Sequence, residues 1–214
     1  MSYQSSLTFS RYCALRQEGL ERFGSSLHLP FCRSTYEKAR EYYNGGDVLD
    51  VGAGSDHFLM TSLEIDKDKY YSLDSDQDGD FDFNDFKDVP EGKRFQMVVM
   101  NQFLEHLTID DSFKAISEAK RVLAKGGRLF ASVPNANHPV RYHSTVTHVT
   151  NWPAADLYAF IRAAGFSVDA IFRTNKLPLT RNPLKRWLIL AVCRELRIDW
   201  CDSVIIVGTR TDDE

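Results

Sequence analysis

Apolar runs typical of strands alternate with amphipathic helical segments along most of this chain, and this alternation limits the fold more than any other feature. Runs such as "VLDVG" and "FQMVVMN" are almost continuously apolar, which is typical of strands covered on both faces. Alternating strands and helices build a parallel sheet with right-handed crossovers. We therefore predict an α/β, Rossmann-like, doubly wound fold with a mostly parallel sheet and an antiparallel last strand.

Helix and strand boundaries follow from periodicity and from capping residues. Phe113, Ile116 and Ala119 share one face of a predicted helix, which Gly126-Gly127 is expected to end. The acidic stretch after the second core strand is too short for a full helix, so the helix before the third core strand is predicted to be shortened or absent. Further helices are predicted at 11–23, 34–43, "DHFLMTSLEID" and "PAADLYAFIRAAGF", and strands at "KYYSLD", "DFDFN", "RLFASVPN", "SVDAIFRT" and "DSVIIVGTR".

A length of 214 residues fits one domain with terminal additions. We predict an N-terminal helical lid segment over residues 1–45 and a core over residues 46–214 that carries an insertion at 176–199. The insertion places apolar residues beside Lys185, Arg186, Arg194 and Arg197, which predicts a second lid or a homodimer face rather than a membrane-surface helix.

Composition restricts the partners. The formal net charge is −4, so electrostatics give no reason to expect a nucleic acid. The four cysteines lack metal-binding spacing and are interpreted as free thiols in a reducing compartment. No signal peptide or transmembrane segment is evident, and we expect a cytoplasmic protein.

A glycine turn follows the first core strand in "VLDVGAGSDHF". A dinucleotide site would place a third glycine at His57, and the charge of Asp56 would repel its phosphates. S-adenosylmethionine has no phosphate and carries an ammonium and a sulfonium, so carboxylates such as Asp50 are compatible with it. Gly52 and Gly54 provide close backbone approach. Asp56 is alternatively only a helix cap.

Six ordered segments resemble class I S-adenosylmethionine-dependent methyltransferases, the broad group that includes the quinone-biosynthesis methyltransferases. Across residues 46–170, "VLDVGAGSD" resembles the first family motif, with Asp56 at its last glycine. The remaining segments are "YYSLD", "DFKDVPEGKRFQMVV" with Gln96 at a usual aspartate, "NQFLEHL", "RVLAKGGRLFASVPN" and "HVTNWPAADLYAFIRAAGF".

The resemblance implies a set of cofactor-binding residues. Asp74 is expected to hold the two ribose hydroxyls, although a solvated turn residue is the alternative. Asp85 and Phe86 are expected to flank adenine, with a turn role and a core role as their respective alternatives. The complete predicted set is Asp50, Gly52, Ala53, Gly54, Asp74, Ser75, Asp85, Phe86, Asn101 and Gln102.

Methyl transfer to a hydroxyl benefits from a general base. Histidines in the loops after the fourth and fifth core strands are the candidates, and we predict His148, His143 and His106 as the catalytic set, with His138 in the same loops. Each has a structural role as its alternative. No metal site is predicted, because the calcium-like acidic run from Asp74 ends in Asp85 rather than in a bidentate glutamate.

These features predict an enzyme that methylates an O or N nucleophile of a small-molecule acceptor in a biosynthetic pathway. Methylation of a macromolecule is one alternative. A non-catalytic S-adenosylmethionine-binding protein is another, because Asp56 and Gln96 depart from the family pattern.

Overall fold

The computed structural model describes residues 7–76, 78–174 and 182–211. Seven strands form one sheet in the order β1-β6-β7-β5-β4-β2-β3. Their bounds are β1 Phe31–Cys32, β2 Val48–Val51, β3 Tyr70–Leu73, β4 Phe95–Asn101, β5 Leu123–Pro134, β6 Phe166–Thr174 and β7 Ser203–Arg210. Only β7 runs antiparallel to its neighbours in the sheet, so the predicted fold class is confirmed.

The described residues form six α-helices, which cover the sheet or flank it. They are α1 Phe9–Phe23, α2 Thr35–Tyr42, α3 Phe58–Leu63, α4 Ile109–Val122, α5 Ala154–Ala163 and α6 Pro183–Glu195. Alternate strand residues divide the core: Leu49 belongs to the cluster that includes residues of α4 and α5, whereas Val48 packs with residues of α2 and α3. Among the described residues, no helix is long and apolar enough to cross a membrane.

The described residues of the acidic segment between β3 and β4 contain only a single 3-10 turn, Phe86–Asp88, so the predicted loss of the crossover helix is confirmed. The predicted strand "DFDFN" is wrong, because this segment makes only one isolated bridge, Leu73 to Phe83. Phe83 stacks on Tyr71, with ring centroids 6.2 Å apart. Phe81 lies edge-on to His57 at the same centroid distance. Neighbouring rings therefore cover the aromatic residues that the missing helix would have covered.

The end of α4 also differs from the prediction. The helix ends at Val122, and Gly126-Gly127 lie inside β5. The register between β4 and β5 shifts here, from Phe95 opposite Leu123 to Met97 opposite Arg128. A Cβ on Gly127 would lie 2.8 Å from the Ala124 carbonyl oxygen, so the glycine is required by this irregular turn of the strand.

The N-terminal segment packs closely on the core. Gly19 of α1 lies against the ring of Tyr158 in α5, and β1 adds a parallel strand beside β6, which the sequence analysis did not predict. Ser34 caps α2, and its side chain accepts a hydrogen bond from the Tyr36 amide. A lid role for residues 1–45 stays a prediction, and residues 1–6 lie outside the described part of the chain. All four cysteines are free, with Cys32 and Cys201 buried and Cys13 exposed.

Candidate active site

The glycine turn lies where β2 ends, at the carboxyl edge of the parallel strands. Gly52 and Gly54 have φ values of +73° and +62°, which side chains rarely adopt. A Cβ on Gly52 would lie 2.6 Å from the Phe103 ring, whereas one on Gly54 would lie 4.0 Å from its nearest neighbour, Asp56. Gly52 is therefore required by both conformation and space, and Gly54 by conformation alone.

Asp74 follows β3 and reaches back to this turn. Its Oδ2 accepts a hydrogen bond from the Gly54 amide at 3.1 Å, and its Oδ1 accepts one from the Asp76 amide at 3.1 Å. A carboxylate offers about four acceptor positions, so two remain for a ligand. Ser75 is exposed beside it. The structure thus places the predicted ribose-binding carboxylate in direct contact with the glycine turn.

Asp50 lies in the middle of β2 and is only 4% exposed. Its Oδ2 accepts a hydrogen bond from the Tyr70 hydroxyl at 2.8 Å. Burial raises the pKa of Asp50 to about 7; the hydrogen bond opposes this shift, and the charges of Asp56 and Asp74 add to it. Burial, followed by the nearby Asp50 charge, also raises the pKa of Tyr70. A cation near this carboxylate would favour its ionised form.

A polar network joins the end of β4 to β5 and α2. Ser132 Oγ donates to Asn101 Oδ1 at 2.6 Å, and Asn101 Nδ2 donates to the Tyr36 hydroxyl at 3.1 Å. Gln102, with φ of +54°, donates from Nε2 to Ser132 Oγ at 3.2 Å. Burial raises the pKa of Tyr36, and the charges of Asp50 and Asp56 raise it further, which places Tyr36 within electrostatic reach of Asp50.

The network therefore brings the predicted residues Asn101 and Gln102 together with two that sequence reasoning missed. Ser132 lies near the end of the predicted strand "RLFASVPN", and this position is the one sequence feature that could have indicated a site residue. Tyr36 had no signal, because the short helix that carries it resembles no motif.

Asp85 and Phe86 lie beside each other but face different surroundings. Asp85 begins the 3-10 turn, where its Oδ1 accepts from the Lys87 amide at 3.0 Å and Asp88 completes a capping box. Phe86 is buried in the main core cluster. Both structural alternatives are thus realised, and contact of either residue with adenine stays a prediction.

His57 replaces the third glycine by adopting a left-handed conformation, with φ of +45°. Its ring lies edge-on to Tyr70 at 5.8 Å, and its buried Nδ1 has no hydrogen-bond partner among the described residues. Asp56 accepts a hydrogen bond from the amide of Phe58, the first residue of α3, at 3.3 Å. The turn therefore starts its helix without the third glycine.

The candidate histidines separate into a pair and two others. His106 Nδ1 lies 3.1 Å from the Thr147 carbonyl oxygen, and His148 Nδ1 lies 2.8 Å from that of Tyr142. Their ring centroids are 5.1 Å apart. His143 is exposed and packs on Tyr142 outside this pair. His138 Nδ1 accepts hydrogen bonds from two backbone amides, a structural role.

Glu105 precedes His106 and completes a group that sequence reasoning missed. It is 1% exposed, and neither carboxylate oxygen has a hydrogen-bond partner in the described part of the chain. Burial raises the pKa of Glu105 to about 7, against smaller opposing effects of its own backbone amide and of Arg141. One ligand atom each of Glu105, His106 and His148 lie within 4.8 Å of one another.

Comparison with known proteins identifies the family. Residues 27–171, more than half of the chain, match the family described as Methyltransferase domain. The chain belongs to this methyltransferase family. The match confirms the predicted enzyme class and its cofactor, S-adenosylmethionine. Membership of the quinone-biosynthesis group stays a prediction.

Solved methyltransferase structures share the fold but little sequence. A SAM-dependent methyltransferase from Archaeoglobus fulgidus superposes with a TM-score of 0.61 and 18% identity, covering 97% of this chain and 98% of that chain. A chain of the Haloferax volcanii complex between the Trm112 methyltransferase activator and a methyltransferase gives 0.62 and 19%, covering 94% and 96%. The glycopeptide N-methyltransferase MtfA gives 0.56 and 14%, covering 85% and 94%. No curated protein matches the chain.

The methyltransferase site has the features that its cofactor requires. The turn at Gly52 admits no side chain, Asp74 retains free acceptor positions beside it, and Asp50 offers a buried carboxylate. These acidic groups suit a ligand with an ammonium, a sulfonium and a ribose diol, and they disfavour one with phosphates. The residues present therefore fit S-adenosylmethionine.

A large open cavity of the methyltransferase lies near the carboxyl ends of β5 and β6. It has a volume of about 880 Å³ and is lined by α6, the segment Ser25–His28 and the loop after β5. Arg194, Arg197, Asn137 and Trp200 are among its lining residues, and Arg173 forms a buried ion pair with Asp199 at 3.0 Å in its wall. The outer face of α6 exposes Leu184, Trp187 and Leu188. The role of the insertion at 176–199 as a second lid or a homodimer face stays a prediction. Residues 176–181 of this insertion lie outside the described ranges.

Proposed function

We propose that this methyltransferase acts on a hydroxyl or amine of a small molecule. The observation that supports the cofactor part of this proposal is the contact between Asp74 and Gly54 at 3.1 Å. This hydrogen bond holds Asp74, the proposed acceptor for the ribose hydroxyls, against the glycine turn, where the backbone can approach the cofactor closely. The carboxylate and the turn therefore keep a fixed position relative to each other.

Each cofactor-site residue has a physical role in this proposal. S-adenosylmethionine supplies an electrophilic methyl group when it is bound. Asp74 accepts hydrogen bonds from the ribose hydroxyls, and Asp50 balances the ammonium charge while Tyr70 holds its carboxylate in place. Asn101, fixed by Ser132 and Tyr36, presents polar atoms at the end of β4. Ala53, Ser75, Asp85, Phe86 and Gln102 complete the proposed set.

The cavity beside α6 supports a small-molecule acceptor. Its volume of about 880 Å³ falls within the range of about 300–1,000 Å³ that small-molecule sites occupy. Arg194 and Arg197 in its lining favour an acceptor with an acidic group. The loop after β5 contributes Asn137 to the cavity and His148 to the histidine pair, so one loop connects the two regions.

The histidine pair is the group available to handle the proton of a hydroxyl acceptor. A carbonyl oxygen only accepts, so Nδ1 of His106 and of His148 must carry the proton. In the neutral form of each ring, Nε2 then carries the lone pair. His143 is the weaker candidate, because it is exposed and lies outside the pair.

Two measurements test this function. Titration calorimetry should show micromolar-scale binding of S-adenosylmethionine and S-adenosylhomocysteine and no detectable binding of NAD; the reverse ranking would refute the cofactor assignment. Radiolabel transfer should then be screened over small hydroxyl and amine acceptors, with protein and RNA as parallel substrates. Transfer only to a macromolecule would refute the acceptor class, and cofactor binding without any transfer would indicate a non-catalytic binding protein.

A further inference from the structure

Glu105 is a buried carboxyl group at the carboxyl edge of the sheet. It is 1% exposed, and no other described residue donates a hydrogen bond to either of its oxygens. Leaving a buried acceptor unpaired is unfavourable, and more so for a charged group. A fold keeps such a carboxylate at a cost, which a bound cation would offset.

The neighbouring imidazoles are arranged as they are around bound metals. Metal-binding histidines usually donate one ring N–H to a carboxylate, a backbone carbonyl or a water, which fixes the ring and directs the other nitrogen to the metal. His106 makes this bond to Thr147 and His148 makes it to Tyr142. Both rings therefore keep Nε2 as the nitrogen that is free to bind.

We propose that Glu105, His106 and His148 form a binding site for one divalent transition-metal ion. One ligand atom of each residue lies within 4.8 Å of the others. Metal–ligand bonds of about 2.0–2.2 Å place any two ligand atoms at most about 4.4 Å apart, so small side-chain rotations complete the site. Local spacing gave no sign of this site, because His148 lies far along the chain from the Glu105-His106 pair.

The ligand set favours one class of ion. Two imidazoles and one carboxylate suit zinc, manganese, cobalt or iron, whereas magnesium and calcium prefer sites built entirely of oxygen. Three protein ligands also leave coordination positions open for an oxygen of another molecule. Arg141 is the nearby opposing charge; it is exposed, so solvent screens its repulsion of a cation.

The position of the site relates it to methyl transfer. Phe103, two residues before Glu105, is the residue that packs against Gly52. The cation site and the glycine turn are thus held by the same segment after β4. An acceptor oxygen that binds at an open coordination position would be brought close to the cofactor-binding loop.

This position extends the proposed function and rests on it for its chemical role. A metal ion lowers the pKa of a hydroxyl that it binds. The acceptor hydroxyl would release its proton to solvent, its oxygen would form the new O–C bond, and the C–S bond of the cofactor would break. The acceptor would then be an alcohol or phenol rather than an amine. With the metal bound, activation by the metal would replace the base role proposed above for the histidine pair, because both rings would be metal ligands.

The binding test uses the full chain after treatment with a chelator. Calorimetric titrations should measure the affinity for Zn²⁺, Mn²⁺, Co²⁺ and Ca²⁺ separately. At least one of the three transition metals should bind at one ion per chain and more tightly than Ca²⁺. Glu105→Gln and His148→Ala should each weaken that binding at least tenfold. His143→Ala is the matched control, because it removes an exposed histidine of the same loop and should leave metal affinity unchanged.

The melting temperature gives a second test, because the Glu105→Gln substitution should change it in opposite directions with and without metal. Metal should raise the melting temperature of the parent protein but not of Glu105→Gln, whereas without metal the Gln variant should melt higher because it buries no charge. Parental metal affinity in both variants would overturn the site. If Glu105→Gln does not fold, His148→Ala on its partly exposed loop decides the same question.

The same proteins should also be titrated with S-adenosylhomocysteine. Metal binding without cofactor binding would refute the proposed function and leave the metal site standing. Cofactor binding without metal binding would refute only the metal site. Transfer to a hydroxyl acceptor that is unaffected by chelator would refute the role in chemistry while sparing the binding site.

Discussion

The cofactor-binding loops and the Glu105–His106–His148 group lie at the same edge of the sheet but are built differently. The glycine turn and Asp74 belong to consecutive strands, and one hydrogen bond joins them. The Glu105 group joins the turn after β4 to a loop after β5, and its carboxylate has no hydrogen-bond partner in the described chain. In the first region, the Gly54 amide and the Asp74 carboxylate bind each other, although the buried Nδ1 of the neighbouring His57 has no partner among the described residues. In the second region, the buried carboxylate itself has no partner from another described residue. The difference supports the proposal that the second region takes a ligand.

The largest effect is expected from Gly52→Ala in the cofactor region. The added Cβ would lie 2.6 Å from the Phe103 ring in a conformation that disfavours side chains, so the turn must move. We expect affinity for S-adenosylhomocysteine to fall at least 100-fold in calorimetry.

Gly126→Ala is the matched control for this change. Gly126 has a φ of +70° but open space around it, so the variant carries similar backbone strain, about 1–2 kcal/mol, without a clash. Its cofactor affinity should equal that of the parent. Equal losses in both variants would show that general destabilisation, and not the loop, controls binding.

The second effect concerns pH and the buried Asp50. Its pKa is raised to about 7 in the folded protein, above its ordinary value of 3.8, so the folded state binds the proton more tightly. The stability from this group is therefore fully present below about pH 4 and is lost as the pH rises through 7, by an amount on the order of 4 kcal/mol.

Asp50→Asn should flatten this dependence, because an amide does not titrate and still accepts from Tyr70. Urea unfolding of ligand-free protein between pH 5 and pH 8 measures the difference between parent and variant. Glu105 contributes a slope of the same sign to both proteins, so only the difference reports on Asp50. Parallel pH profiles would contradict the burial of an ionisable carboxyl at this position.

The sequence predicted these two regions unequally for a physical reason. The glycine turn, Asp74 and the strand–helix alternation depend on residues close in sequence, and the fold places them as expected. The Glu105 group depends on how a long loop folds back onto the turn after β4, which no local pattern encodes. Gly126-Gly127 shows the same limit, because a helix stop and a strand irregularity use the same residues. Tyr36 entered the site only through the packing of α2.

A third, smaller effect is expected from Asp74→Asn. The amide keeps one oxygen for the Gly54 N–H but loses the charge that strengthens hydrogen bonds to the ribose hydroxyls, each worth about 1.5–3 kcal/mol. Affinity for S-adenosylhomocysteine should fall about tenfold. Asp76→Asn, in the same acidic run, is the control and should bind normally. A loss in Asp76→Asn with none in Asp74→Asn would move the ribose contact to the neighbouring residue.

The smallest effect tests whether the N-terminal segment belongs to the cofactor region at all. Tyr36→Phe removes only the hydroxyl that accepts from Asn101 at 3.1 Å and keeps the edge-on contact with Phe58. A hydrogen bond of this kind contributes about 0.5–1.5 kcal/mol, so cofactor affinity should fall roughly two- to tenfold.

Tyr43→Phe is the control, because its hydroxyl donates to the Gly46 carbonyl rather than to the Asn101 network. Both variants should lose a similar amount of stability in urea unfolding, since each loses one partly buried hydrogen bond. If only stability changes and the two proteins bind S-adenosylhomocysteine equally, α2 supports the fold without shaping the site. A selective loss in Tyr36→Phe would instead show that the N-terminal segment helps to form the cofactor pocket, which the family motifs alone do not reveal.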